Sequence, residues 1–191
     1  MRIAVDLDGV IWDIMYAFCK VYNRKYDKNI TPKDVNEWYY FPTPIFEEVY
    51  PETLDRIDEY PFIDENINHY LFLLMTKHDV KILTMEQNTK ENLKKKLKQA
   101  DIREGYEYLE LIKEDRFTGD KLDFDFDIFI DDCPLLVDRM ENHLDKILLL
   151  FTQPWNTYCE VNDKSNVFRV NGWKDVMIKI EEIEKKCLKK K

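Results

Sequence analysis

Apolar residues in this chain gather into short continuous runs, and between the runs they recur at helical spacing. Ile3-Ala4-Val5-Asp6-Leu7 is the first run and passes directly into acids. Val80-Lys81-Ile82-Leu83-Thr84, Leu109-Glu110-Leu111-Ile112, Asp127-Ile128-Phe129-Ile130-Asp131 and Ile147-Leu148-Leu149-Leu150-Phe151 follow it, and Val167-Phe168-Arg169-Val170 adds a short edge strand. Unbroken apolar runs of this length predict strands buried on both faces. Between them, Ile67, Tyr70, Leu71 and Leu74 mark a helix over Asp64 to Lys77. Leu93 and Leu97 mark another from Thr89 to Ala100, with Thr89 as its N-cap. Pro134 suits the first turn of a helix reaching Asn142, and Trp173 to Lys189 forms a terminal amphipathic helix whose last lysines complement its dipole.

Alternating strands and helices predict an α/β fold, a Rossmann-like parallel sheet. One interval breaks the rhythm. Residues 14–62 contain no buried-strand run and many aromatics, among them Tyr16, Phe18, Tyr22, Trp38, Tyr39, Tyr40, Phe41, Phe46 and Tyr50. Thr31-Pro32 fits a cap with a first-turn proline. The expectation is an α/β core of residues 1–13 and 63–191 with a small helical insert at 14–62. Ligands of open parallel sheets sit at the carboxyl ends of the strands, so an insert leaving the end of the first strand hangs over the site.

Composition narrows the function classes. The chain has 191 residues, with Asp plus Glu 38 against Lys plus Arg 29, a net charge of −9. That sign repels a phosphate backbone and argues against a nucleic-acid duplex as partner. No apolar run reaches the roughly 18 residues of a membrane span, and no secretory leader is expected. Cys19, Cys133, Cys159 and Cys187 form no CxxC pair, so a zinc site is not expected, and reduced thiols in a cytoplasm are.

The strand ends carry the chemistry. Asp6 and Asp8, followed by Gly9, close the first strand, Thr84 closes the second, and Asp131 and Asp132 close the fourth. Parallel strands bring these to one edge, which Lys121 can reach from a loop. Crowded carboxylates call for a cation, and hard oxygen ligands favour Mg²⁺. A lysine and a hydroxyl beside them favour a phosphoryl group.

These residues resemble the haloacid dehalogenase (HAD) superfamily of phosphohydrolases. Its first motif matches Asp6-Leu7-Asp8-Gly9-Val10, its second Thr84, its third Lys121 and its fourth Asp131-Asp132. Within it the chain is most similar to the cytosolic type C 5'(3')-deoxyribonucleotidases. That likeness rests on the first motif, the helical insert, Tyr60-Pro61-Phe62, the ten-residue step from Lys121 to Asp131, and Phe151-Thr152-Gln153-Pro154-Trp155-Asn156. The chain departs from that family at Ile14, where the family carries an aromatic of the base pocket.

The resemblance implies an Mg²⁺-dependent phosphomonoester hydrolase with Asp6 as nucleophile and Asp8 as general acid and base. Mg²⁺ would be held by the Asp6 side chain, the Asp8 carbonyl and Asp131, with Asp132 orienting the ligands. Thr84, Lys121 and backbone N–H groups near Gly9 would bind the phosphate. Trp38, Tyr39 and Phe41 are candidates for stacking a nucleobase, or they form the insert's own core. The expected partner is a small phosphate ester, a nucleotide first, in the cytoplasm, with a homodimer left open. A phosphatase of sugar or glycolate phosphates shares this chemistry. A 3'-phosphatase of nucleic-acid ends is disfavoured by the charge. A phosphoacceptor signalling domain places its paired and single acids in the opposite order and has no insert.

Overall fold

The computed structural model describes residues 1–102, 110–113, 121–161 and 165–188. Six strands form one sheet: β1 (Arg2–Val5), β2 (Asp79–Thr84), β3 (Glu110–Lys113), β4 (Ile128–Asp131), β5 (Ile147–Phe151) and β6 (Val167–Val170). Their order is β3-β2-β1-β4-β5-β6, and every pair is parallel. The chain winds outward from β1 through β2 to β3, then crosses back to β4. The direction reverses between β1 and β4, which is where such sheets open a crevice at their carboxyl edge. The α/β class expected from the runs is the observed one.

Period-two alternation sorts the strand residues between two cores. Ile3 and Val5 of β1, Ile128 and Ile130 of β4, and Leu149 and Phe151 of β5 face one side. There they meet α3 (Ile67–Met75), α4 (Lys90–Gln99) and α6 (Trp173–Leu188) through Leu71, Leu74, Leu93, Leu97, Trp173, Val176 and Ile180. Ala4, Phe129, Leu148 and Leu150 face the other side, against Leu136 and Val137 of α5 (Leu135–Arg139). Burying each such aliphatic side chain is worth about 1.5–3 kcal/mol before entropy is counted.

The element ends differ from expectation for local reasons. β1 stops at Val5 because the Leu7 carbonyl accepts from Val10, Ile11 and Trp12 N–H groups, at 3.3, 2.9 and 3.1 Å, and turns the chain. α3 starts at Ile67 because Asp64 Oδ1 takes the Asn66 N–H at 2.8 Å, a turn that competes with helix. The helix after Pro134 tightens into a 3₁₀ turn at Met140–Asn142. Thr89 caps α4 as expected, its hydroxyl accepting from Asn92 N–H at 3.2 Å. Leu109 and Lys189, at the ends of two expected elements, lie outside the described residues.

Residues 14–62 hold α1 (Ile14–Tyr26) and α2 (Thr43–Leu54), with 3₁₀ turns at Pro32–Asp34 and Ile57–Glu59. Asp13 caps α1 by accepting from Tyr16 N–H at 3.1 Å. Thr31 donates from both its N–H and its hydroxyl to Asp34 Oδ2, fixing the Pro32 turn. Phe18, Cys19, Val21, Val35, Phe41 and Val49 pack, together with Trp155 from the segment after β5, into a third apolar cluster. The outgoing and returning chains are bonded at a neck: Asp13 N–H donates to the Pro61 carbonyl at 2.9 Å and Ile63 N–H to that of Ile11 at 3.0 Å. Buried Lys96 on α4 clasps the return leg, donating to the Asp58 carbonyl at 3.2 Å and lying 4.8 Å from the Phe62 ring centroid.

Candidate active site

The site begins where β1 and β4 run side by side past their last paired residues. Asp6 N–H donates to the Ile130 carbonyl at 3.0 Å, which continues the pairing one step and seats Asp6 beside the end of β4. Asp131 is the last residue of β4. Lys121, in the 3₁₀ turn at Lys121–Asp123, reaches between them. Its Nζ is 2.7 Å from Asp131 Oδ2 and 3.0 Å from Asp6 Oδ1, and all three residues are buried. One carboxylate oxygen from each of Asp6, Asp131 and Asp132 lies within 4.8 Å of the others. Three acids and one lysine leave two formal negative charges in a buried space if all are ionised.

The electrostatics follow. Burial pushes the Asp6 carboxyl up to about 6, against the downward pull of Lys121. Asp8 is half-buried; loss of water on its covered side and the charge of Asp6 push it up to about 7, with Trp12 N–H pulling the other way. Burial and the charges of Asp131 and Asp6 hold Asp132 well above the usual carboxylate range. Burial alone would lower Lys121, but Asp131 and Asp6 outweigh it and keep the ammonium above its ordinary range.

The donor set fits a small hard cation. Asp6 Oδ1 is buried and has no aligned hydrogen-bond donor among the described residues; Lys121 faces it at ion-pair distance. Three carboxylates converge with an incompletely satisfied oxygen among them. Oxygen-only ligands with room for water or phosphate suit Mg²⁺ better than a soft metal.

The other expected residues are placed as follows. Thr84 ends β2 and is buried, with its Oγ1 accepting from Glu86 N–H at 3.0 Å, which leaves the hydroxyl hydrogen to donate elsewhere. Gly9 has φ +73°, and its N–H is engaged by the Trp12 carbonyl at 2.8 Å. A Cβ there would meet Asp132 Oδ2 at 2.2 Å and Trp155 Cζ2 at 3.2 Å, so the absence of a side chain is what lets the two acidic loops touch. In the insert, Phe41 packs 4.6 Å from Phe18 in the apolar cluster, and Trp38 packs partly buried against it. Tyr39 is 74% exposed.

The acids are held by residues to which the sequence assigned no role, Trp12 and Arg169 among them, and Gln153, Trp155 and Asn156, which entered only as part of the family likeness. Trp12 Nε1 donates to Asp8 Oδ1 at 2.7 Å. Trp155 Nε1 donates to Asp132 Oδ2 at 2.8 Å. Gln153 Nε2 donates to the Gly9 carbonyl at 2.6 Å, and Asn156 Nδ2 to the Asp132 and Phe151 carbonyls, both at 2.8 Å. Arg169 on β6 fastens Asn156 through its Oδ1 at 3.1 Å and its carbonyl at 3.0 Å. The signal was present as amides and a tryptophan directly after the β5 run.

Comparison with known proteins identifies the fold and the family. No curated protein matches the chain. Among solved structures, a conserved haloacid dehalogenase-like protein of unknown function from Agrobacterium tumefaciens is 13% identical, with TM-score 0.67, covering 96% of this chain and 98% of its own. A HAD-superfamily hydrolase of subfamily IA from Geobacter sulfurreducens is 12% identical, TM-score 0.54, with 93% and 94% covered. A β-phosphoglucomutase from Clostridium difficile is 19% identical, TM-score 0.53, with 97% and 96% covered. These likenesses establish a HAD fold. The family described as "5' nucleotidase, deoxy (Pyrimidine), cytosolic type C protein" matches residues 1–186, so the chain belongs to that family of HAD phosphohydrolases.

Proposed function

We propose that the protein is an Mg²⁺-dependent 5'-nucleotidase that dephosphorylates (deoxy)nucleoside monophosphates through a phosphorylated Asp6. The observation that carries this reading is the meeting of Asp6, Asp131 and Asp132 oxygens within 4.8 Å, with Lys121 hydrogen-bonded to Asp131 and ion-paired with Asp6. The family match supports the nucleotide as leaving group, and the family's cytosolic description supports action in the cytoplasm. No helix among the described residues is long and apolar enough to cross a membrane.

Asp6, Asp131 and the Asp8 carbonyl would hold the ion, with Asp132 oriented behind them. Bound there, Mg²⁺ would supply charge neutralisation for the phosphoryl oxygens and lower the Asp6 carboxyl so that it is ionised. Asp6 attacks phosphorus; an Asp6 oxygen–phosphorus bond forms as the ester phosphorus–oxygen bond breaks. Asp8 gives its proton to the departing alkoxide. It then takes a proton from the water that attacks the acyl phosphate, restoring Asp6 and releasing phosphate. A group poised near 7 serves both roles at neutral pH. Lys121 and the Thr84 hydroxyl neutralise the non-bridging oxygens. Gly9 contributes close approach of the backbone.

Residues 14–62 act as a cap over this edge. Their apolar cluster, joined from outside by Trp155, and their bonded neck support that reading. The exposed Tyr39 and the partly buried Trp38 are the rings available to a flat leaving group. The test is phosphate release from a panel of nucleoside 5'- and 3'-monophosphates and sugar phosphates, with EDTA and Mg²⁺ add-back. Nucleotides turned over at least tenfold faster than sugar phosphates support the assignment. A preference for sugar phosphates overturns the leaving group, and Asp6→Asn at wild-type rate overturns the nucleophile.

A further inference from the structure

Trp155 belongs to two parts of the molecule at once. Its ring is buried in the apolar cluster of the insert, with Phe18, Val21, Phe41 and Val49. Its N–H reaches the other way and donates to Asp132 Oδ2 at 2.8 Å. The contact is tight, because a Cβ on Gly9 would collide with Asp132 Oδ2 at 2.2 Å and press on Trp155 Cζ2 at 3.2 Å. The backbone around Trp155 is fixed independently of the insert. Gln153 N–H donates to Asn156 Oδ1 at 3.1 Å, Asn156 donates to the Asp132 carbonyl, and Arg169 holds Asn156 and the Cys159 carbonyl at 2.7 Å. Asp132 is therefore oriented from both its backbone and its side chain by one four-residue segment after β5.

We infer that Trp155 is a positioning residue that couples the seating of the insert to the orientation of Asp132, and through it to the affinity of the acid cluster for its divalent cation. The inference rests on the proposed cation site, in which Asp132 stands behind Asp6 and Asp131 in one carboxylate cluster and orients them. A shift of α1 or α2 against the sheet would act on the ring through the shared cluster, and the ring carries the donor to the Asp132 side chain. The insert thus has a route to the cation that does not pass through bound substrate. A partner that orients a metal ligand is worth 10–100-fold in affinity when removed, as an order of magnitude.

The test is Mg²⁺ binding to substrate-free protein, followed by calorimetry and by the rise in melting temperature with added Mg²⁺. Trp155→Phe keeps an aromatic ring in the cluster and deletes the donor. Its Mg²⁺ dissociation constant should rise about tenfold or more. Val49→Ala loosens the insert cluster without touching an acid, and should weaken Mg²⁺ binding in the same direction. Val176→Ala makes an equal deletion in the core beneath α6 and should leave the constant unchanged. In the Trp155→Phe background the effect of Val49→Ala should vanish, since linked sites are non-additive and unlinked ones add. Equal Mg²⁺ affinity in wild type and Trp155→Phe overturns the inference while the cation site stands. Additive Val49→Ala and Trp155→Phe effects overturn the coupling. A wild type that neither binds Mg²⁺ nor gains stability from it overturns the cation site itself, and the inference with it.

Discussion

Lys121 Nζ lies 2.7 Å from Asp131 Oδ2, and both side chains are buried. The pair joins a 3₁₀ turn to the end of β4, ten residues later, and in the proposed mechanism it supplies the positive charge that meets a phosphate oxygen. Removing one member of a buried ion pair strands the other, at a cost of about 3–5 kcal/mol. Lys121→Met should lower the melting temperature of the metal-free protein, and added Mg²⁺ should restore part of the loss. Turnover of a phosphate ester should fall by about 10²-fold or more at saturating Mg²⁺, the scale of losing one preorganised oxyanion donor. Wild-type kcat in this variant would remove Lys121 from the reaction.

Gly9 is constrained twice. Its φ of +73° disfavours any side chain, and a Cβ would enter the Asp132 carboxylate. Backbone strain of this kind costs on the order of 1–3 kcal/mol. Gly9→Ala should therefore unfold at lower urea, and it should also bind Mg²⁺ more weakly, because Asp132 and Trp155 must move aside. Urea midpoints and Mg²⁺ titrations of the substrate-free protein check the two effects separately.

Much of this was legible in the chain itself. Runs such as Ile128-Phe129-Ile130 announce a doubly buried strand, and acids placed directly after them fall on the sheet's carboxyl edge whatever the loops do. Asp6, Thr84 and Asp131 therefore map onto one edge without knowledge of side-chain positions, whereas Lys121 precedes β4 and was placed there by its reach from a loop and by the motif. Element ends were less legible, since Asp64 and the Leu7 carbonyl divert the chain through local bonds that periodicity does not register. The supports of the acids were hidden for a different reason. Trp12 and Trp155 count as apolar in any pattern, yet each directs its single N–H at a carboxylate. Phe41 shows the converse, an aromatic attractive as a base platform that packs into the insert's interior.

The metal-free protein should lose stability as pH rises through the neutral range. Asp6 and Asp8 have folded values of about 6 and about 7, above their ordinary value of 3.8. Between those limits the native state keeps protons that the unfolded chain has released, so stability is greatest below about 4 for these groups and is lost as pH climbs past 7. His78 works the other way: burial and the nearby N-terminus lower it, and its contribution grows as pH rises. Comparing wild type with Asp8→Asn cancels the histidine. The variant should gain on wild type from pH 4.5 to pH 7.5 by more than about 1.4 kcal/mol, the equivalent of one pKa unit. Urea unfolding at both pH values in EDTA measures it; a difference that does not change with pH would contradict the raised Asp8.

Trp12 should set the pH at which the second half-reaction switches on. Its Nε1 donates to Asp8 Oδ1 at 2.7 Å, and that bond favours the ionised carboxylate. The ring itself is locked between Tyr60 and Phe62, with centroids 6.4 and 6.5 Å away, so Trp12→Phe keeps an aromatic in place while deleting the donor. A hydrogen bond to a charged group is worth about 1.5–3 kcal/mol, which is roughly one to two pKa units. Without it the Asp8 carboxyl rises further above 7. In the proposed mechanism hydrolysis of the phosphorylated enzyme uses Asp8 as base, so its rising limb should move to higher pH by that amount. Phosphorylation, for which the same mechanism uses Asp8 as acid, should stay active over a wider range. Rapid-quench measurement of both steps across pH resolves them. Limbs that coincide with wild type, at an unchanged melting temperature, would mean that Asp8 is not the group Trp12 tunes.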